Sequence, residues 1–347
     1  MNLRMLTGLL ALAAAINLGS APASAQEKIT LQLGTASAPA WSLGQVIDQV
    51  LKPKVAEYSD GRIDIVVHNG GSLCSEHACV EQLGLGQIDI ATVSSGNVGA
   101  FGTTFDLINL PFVFKDQDAA SDILNGWLAE ELGKRTVKEM KMHLIALVPV
   151  GGFRQIVNTQ REVRVPADLA GLKIRVTKSP TEFNLVKAWG AAPVPYDWSS
   201  LYEGLQSGVV QGMYLQNTFT AAGKFYEVVS NITTVSAAWS AHPILMSQKR
   251  YEALPDWARE AIDKAGADVQ REAFRYDIDW QDTVVKAMEG KVAVYDPTEA
   301  EMDLWRAGAR DAWVAVKGAY DPALARRILA EQGQDKLIAD LEAAGAL

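Results

Sequence analysis

EQLGLGQIDIA (residues 81–91) and EGLQSGVVQGM (residues 203–213) can be laid on each other without a gap. Each reads as the last turn of a helix (Leu83 or Leu205), a glycine suited to the left-handed cap (Gly86 or Gly208), and a β-branched run from Ile88 or Val209. Upstream lies a second similar pair, GRIDIVV (61–67) and GLKIRVT (171–177). A strand, helix, strand unit is therefore expected twice. Strands separated by helices build parallel sheets, so two such units predict two α/β lobes with a cleft between them.

The chain opens MNLRMLTGLLALAAAINLGSAPASA, with a single basic residue (Arg4), an apolar run from about Leu6 to Leu18, and Ala23 and Ala25 flanking Ser24. This pattern reads as a secretory signal with an A-x-A cleavage site; a membrane anchor is the competing reading, but the apolar run is short and weakly flanked. The expected location is the periplasm, with no direct membrane anchor. Removing residues 1–25 from the 347 leaves 322, enough for two domains with their own cores. Without Arg4 the formal charge moves from −9 to −10. An acidic exported chain lacking Lys/Arg runs argues against nucleic acid or anionic lipid as partner. Any anion it binds needs a local basic site.

Arg175 is the candidate for that site, because it stands among Leu172, Ile174 and Val176 in a strand that otherwise wants burial. In open α/β sheets ligands bind beyond the carboxyl ends of strands, so a guanidinium there projects toward the cleft. Next comes SPTEFNLVKAWG (179–190), with Ser179 as N-cap, Pro180 at the first helical position and Glu182 completing a capping box. A planar guanidinium fork beside a helix N-terminus makes a carboxylate receptor; the alternative is a structural ion pair with an Asp or Glu.

Cys74 and Cys79 are expected to form a disulfide in an oxidising compartment, with Cys74 in the loop or first turn and Ser75 as N-cap. Metal ligation by Cys74, His77 and Cys79 is the alternative, but no fourth ligand is evident. The four histidines form no H-E-x-x-H spacing, no G-x-S-x-G elbow occurs, and GLGQID fails the G-x-G-x-x-G pattern at its last position. No catalytic constellation, resident metal or cofactor is therefore expected, although an enzyme assembled from distant residues stays open. Apolar positions from Asp256 to about Met288 predict one long helix or two in series, crossing both lobes. Thr298 and Glu301 open a further helix whose Trp305 and Trp313 read as core.

Four blocks, GGSLCSEHACVEQLGLGQIDIATVSSG (70–96), DLINLPFVFKD (106–116), GFRQIVNTQREVRVPADLAGLKIRV (152–176) and VPYDWSSLYEGLQSGVVQG…GKFYEVVS (194–230), resemble the DctP-like substrate-binding proteins of TRAP transporters. The resemblance covers nearly all of the chain after residue 25. It implies an α/β, two-lobed periplasmic binding protein fold that closes over an organic acid and delivers it to a membrane permease of one small and one large subunit. Lobe one would take residues 26–150 plus about 237–280, and lobe two residues 151–236 plus about 281–347. It further implies that Arg175 forms the main salt bridge to the ligand carboxylate and that Arg154 is a second polar contact. Glu76, Trp198 and the turn from Ser95 to Asn97 would line the cleft.

The sequence departs from the family where members that bind polar acids read DGQENP, whose asparagine contacts the ligand. Leu215 falls in that place here, preceded by Tyr214, with Asn217 as a substitute if the loop is shifted. Leu215, Tyr214, Trp198, Phe219, Trp239 and Trp41 would then make a site with one cationic end and an apolar, aromatic remainder. Such a site suits a monocarboxylate with a hydrophobic body better than a sugar acid or C4-dicarboxylate, which would leave polar groups unpaired. The alternatives are a receptor for a C4-dicarboxylate or sugar acid, and a sensory periplasmic receptor using the same pocket.

Overall fold

A computed structural model describes residues 28–347; the signal segment lies outside the described residues. The described residues form ten strands: β1 (Ile29–Gly34), β2 (Ile63–His68), β3 (Ile90–Thr92), β4 (Met142–Asn158), β5 (Lys173–Val176), β6 (Ala192–Pro195), β7 (Gly212–Gln216), β8 (Asn231–Thr233), β9 (Trp239–Ser247) and β10 (Ala293–Tyr295). The order across the sheet is β2-β1-β3-β9-β4-β7-β5-β6, with β8 joining β4 to β10. Strands β1, β2 and β3 are parallel, as are β5, β6 and β7, while β4 and β9 run antiparallel to each other. Each parallel group follows one path, strand, helix, strand, helix, strand, and the first strand of each lies in the middle.

The topology corrects part of the repeat read from the sequence. The pair at 81–91 and 203–213 is equivalent, each leading from a helix into the third strand of its lobe. GRIDIVV and GLKIRVT are not, since β5 corresponds to β1 and β2 to β6. The strands also begin later than Ile88 and Val209, because the residues after each capping glycine remain in the turn. Gln87 N donates back to Gln82 O (2.9 Å) and Val210 N to Gly204 O (3.1 Å), which satisfies carbonyls at the helix ends.

Strand β4 joins the lobes. Its first half pairs with β9 and its second with β7 and β8, and the register slips between Pro149 and Phe153. Gly151 (φ +81°) and Gly152 (φ +75°) make this slip possible, since both occupy the left-handed region. A β-carbon on Gly151 would also lie 2.5 Å from Thr218 Oγ1. The freed Gly151 N–H is not orphaned; it donates to Asp277 of the long helix at 2.7 Å.

That helix, Asp256–Val284, is a single element of 29 residues, about 43 Å long at 1.5 Å per residue. Its buried face (Ala258, Ile262, Ala265, Val269, Trp280) shares one apolar cluster with β1 and with Phe219, Phe225 and Ile232 of the second lobe. Helix Glu299–Ala315 also bridges: Trp305 packs edge-on against Trp189 of lobe two, whereas Trp313 shares a cluster with Phe114 and Leu128 of lobe one. The helices Pro322–Glu331 and Asp335–Ala343 join that lobe-one cluster through Ile328, Leu329 and Leu341. Residues 313–347, expected on the second lobe, thus lie on the first, where each buried large side chain contributes about 1.5–3 kcal/mol.

Candidate functional site

Where the two parallel groups face each other, a cavity forms with about 490 Å³ of empty space, counting its mouth open to solvent. Arg175 and Arg154 enter it from lobe two. Arg175 is 2% exposed, and its Nε donates to Tyr196 O at 2.9 Å, which fixes the guanidinium at the end of β5. Burial lowers its pKa to about 10, so it remains cationic at neutral pH. Arg154 comes from β4; its Nη1 donates to Tyr214 O (3.2 Å) and its Nε meets Glu182 Oε1 (3.2 Å) with both side chains buried.

Glu182 does not complete the expected capping box. Ser179 Oγ accepts from Glu182 N, as an N-cap should, but the Glu182 carboxylate turns inward and accepts from Thr177 N at 3.0 Å. Arg154 offers a buried carboxylate a charged partner, which a backbone N–H alone cannot.

Lobe one supplies Glu76, the first residue of helix Glu76–Leu85. Glu76 Oε1 accepts from Ser94 N (3.1 Å), and Oε2 accepts from Ser94 Oγ (3.2 Å) and from Asn97 Nδ2. His242 lies 4.0 Å from Glu76, but burial lowers its pKa to about 4 and leaves it neutral at pH 7. Asn97 Oδ1 accepts from Lys178 N of the opposite lobe at 3.1 Å, so the lobes are in contact. Beside it, a β-carbon on Gly96 would lie 2.4 Å from Thr177 Oγ1 and 2.7 Å from Glu182 Oε1.

Much of the remaining wall is apolar, interrupted by the polar side chains of Ser37, Ser94, Thr177, Gln216 and His242. Trp41, Trp198 and Phe219 meet edge to face at centroid distances of 5.3–6.0 Å, and Leu215 and Val150 continue the surface. Among the residues singled out from the sequence, the cavity brings together Arg175, Arg154, Glu76, Asn97, Trp41, Trp198, Leu215 and Phe219. It does not include the others. Tyr214 points to the opposite face of β7 and packs on Trp189 at 5.8 Å, because neighbouring strand residues alternate. Trp239 packs on Phe114 at 5.7 Å inside lobe one. The Ser95 hydroxyl donates to Asn109, away from the cavity, and Asn217 begins the helix Asn217–Ala222 outside the lining. Ser37, Thr177, Gln216 and His242 line the cavity without having been foreseen. Thr177 had a signal, sharing a strand face with Arg175 two residues away; His242 had none. Cys74, in the loop, and Cys79, in the helix behind Glu76, are joined as a disulfide.

A second inter-lobe contact sits beside the cavity. Asp106 of lobe one, buried, lies next to Ser179 and Thr181 at the start of helix Pro180–Ala188. Burial, and then the charge of Glu182, push its pKa up to about 7 against the lowering effect of those hydroxyls. The folded state therefore holds a proton that the unfolded chain has released, so stability falls as pH rises from about 4 to about 7 and levels above that. Asp106→Asn is expected to raise the unfolding midpoint by a few degrees at pH 8, with a smaller gain at pH 5. Calorimetric scans at the two pH values check this; an equal or negative change at pH 8 rejects it.

Among the described residues there is no cluster of three or more metal-ligating side chains, and no helix is long and apolar enough to cross a membrane. Residues 35–317 match the family model described as DctP, bacterial extracellular solute-binding protein, family 7. Uncharacterized protein y4mM of Sinorhizobium fredii is 32% identical over 223 residues, covering 63% of this chain and 40% of that longer protein. The C4-dicarboxylate-binding periplasmic protein DctP of Rhodobacter capsulatus is 25% identical over 94% of this chain and 96% of its own. The crystal structure of a TRAP periplasmic solute-binding protein from Sulfurospirillum deleyianum, with bound succinate, superposes with a TM-score of 0.79 at 21% identity, covering 88% of this chain and 99% of that one. A cleft with buried cations is what a receptor for an anionic solute needs, and the chain belongs to the DctP family of bacterial extracellular solute-binding proteins, the receptors of TRAP transporters.

Proposed function

We propose that this chain is a periplasmic receptor that closes over an organic acid, takes its carboxylate on Arg175 with Arg154 as a second contact, and delivers it to the small and large permease subunits of a TRAP transporter. The ligand class favoured is a monocarboxylate with an apolar or aromatic body. One observation carries this reading: the buried Arg175 guanidinium lines the same cavity as Trp41, Trp198, Leu215 and Phe219. Carboxylate pairing in a water-poor cleft is strong, whereas hydroxyls or a second carboxylate laid on those rings would lose their hydration without replacement. The second reading, a C4-dicarboxylate, is supported by the relative from Rhodobacter capsulatus and by the succinate in the Sulfurospirillum structure.

Mass spectrometry of the small molecule released on denaturation tests the reading directly, together with a thermal-shift panel. Aromatic or branched monocarboxylates are expected to raise the midpoint, since a ligand at 100 times its Kd adds about 2.7 kcal/mol to stability. Stabilisation by C4-dicarboxylates or uronates alone would reject the monocarboxylate and keep the receptor. Chemical conversion of the recovered ligand would reject the receptor.

A further inference from the structure

The charges around the cavity are unevenly used. Arg154 and Arg175 are the cationic side chains among the described lining residues, since His242 is neutral at pH 7. Glu76 faces them from the other lobe, already accepting from Ser94 and Asn97. Glu182 does not line the cavity; it lies behind Arg154, 1% exposed, with one oxygen on Arg154 Nε and the other on Thr177 N. Among the described residues Arg175 makes no ion pair in direct contact: its Nε donates to the neutral carbonyl of Tyr196, and Glu182 acts on it only through the longer-range field.

We propose that Glu182 sets the ligand charge that the cleft accepts: by holding Arg154 in a buried ion pair it leaves Arg175 as the cation available to a ligand, so that one carboxylate is preferred to two. This rests on the reading that Arg175 takes the carboxylate. A first carboxylate replaces the water on Arg175 with a charge-assisted pair. A second would reach an arginine already neutralised, with Glu76 on the facing wall, and like charges across a desolvated gap repel strongly. Glu182 is thus a positioning residue, acting through Arg154 on what the ligand meets. In Glu182→Gln the amide can still accept from Thr177 N, but Arg154 regains an unopposed charge.

The test is isothermal titration at pH 7.5 with 3-phenylpropanoate and benzylmalonate, one aryl body carrying one or two carboxylates. Wild type is expected to favour the monoacid by at least about tenfold, the equivalent of 1.4 kcal/mol. Glu182→Gln is expected to narrow that ratio by about tenfold or reverse it. The double variant Arg154→Gln/Glu182→Gln, which removes the freed cation as well, is expected to restore the wild-type ratio. A merely structural role would weaken both acids alike, and the second substitution would not reverse it. An unchanged ratio in a folded Glu182→Gln overturns the proposal, as does a wild type that prefers the diacid. If Glu182→Gln fails to fold, Glu182→Ala takes its place with the same expected narrowing, and an unchanged ratio in that variant overturns the proposal. If neither aryl acid binds wild type, the apolar-body reading fails separately, and charge preference is read on succinamate against succinate. Preference for succinamate then supports the proposal; preference for succinate, or binding of neither, overturns it.

Discussion

Arg175→Ala is expected to lower affinity for the ligand acid by roughly 10²- to 10⁴-fold, the cost of truncating one partner of a buried, hydrogen-bonded charge pair. On the proposed reading, the guanidinium is prepared for this task. It is desolvated in advance, its direction is fixed by Tyr196 O, and its lowered pKa of about 10 still leaves it charged across the physiological range. Part of the cost of ordering the site is therefore met during folding, and a carboxylate arriving there gains a pair in a low effective dielectric. Arg175→Lys is expected to lose most of the affinity as well, because a single ammonium cannot donate two parallel bonds. Titration calorimetry with the ligand identified by mass spectrometry reads both effects. Unfolding of the ligand-free variants shows whether they are folded. A folded Arg175→Ala that binds within a few-fold of wild type would place the anion elsewhere.

How much of this was legible in the sequence depends on what kind of signal each residue left. Arg175 was legible because a charged side chain in an apolar strand contradicts its surroundings and demands a partner. The helix-to-strand junctions at Gly86 and Gly208 were legible because a left-handed cap leaves few alternatives to glycine. Glu182 was visible only in part. Its spacing from Ser179 marked a helix start, but its carboxylate is spent on Arg154 and Thr177, and no local pattern encodes a partner 28 residues away. Tyr214 and Leu215 are adjacent, and counting residues could not say which faces the cleft; the pleat settles it in favour of Leu215. Trp239 and Trp198 are equally aromatic, yet one is core and the other cavity wall. Residues 313–347 carried good amphipathic patterns, but an apolar stripe does not name the surface it will cover.

Gly96→Val is expected to weaken ligand binding by about 10- to 100-fold without changing the stability of the ligand-free protein. Gly96 lies in the short helix Ser95–Val98, with ordinary helical backbone, so the substitution imposes no backbone strain. The obstacle is the opposite lobe, where even a single added carbon would stand 2.4 Å from Thr177 Oγ1 and 2.7 Å from Glu182 Oε1. Thr177 can rotate away from one methyl group. It cannot easily clear a branched side chain while Glu182 stays bound to Arg154 and to Thr177 N. If the lobes close over a ligand as proposed, the wedge penalises the state in which they touch, including the Asn97 to Lys178 bond beside it, and spares a state in which they are apart. A ligand shifts the lobes only by its differential affinity for the closed form, so any penalty on that form is subtracted directly from binding. Small-angle scattering should then show a smaller ligand-induced decrease in radius for Gly96→Val than for wild type at matched saturation. Equal compaction and equal affinity would mean that the contact at Gly96 is not part of the ligand-bound state.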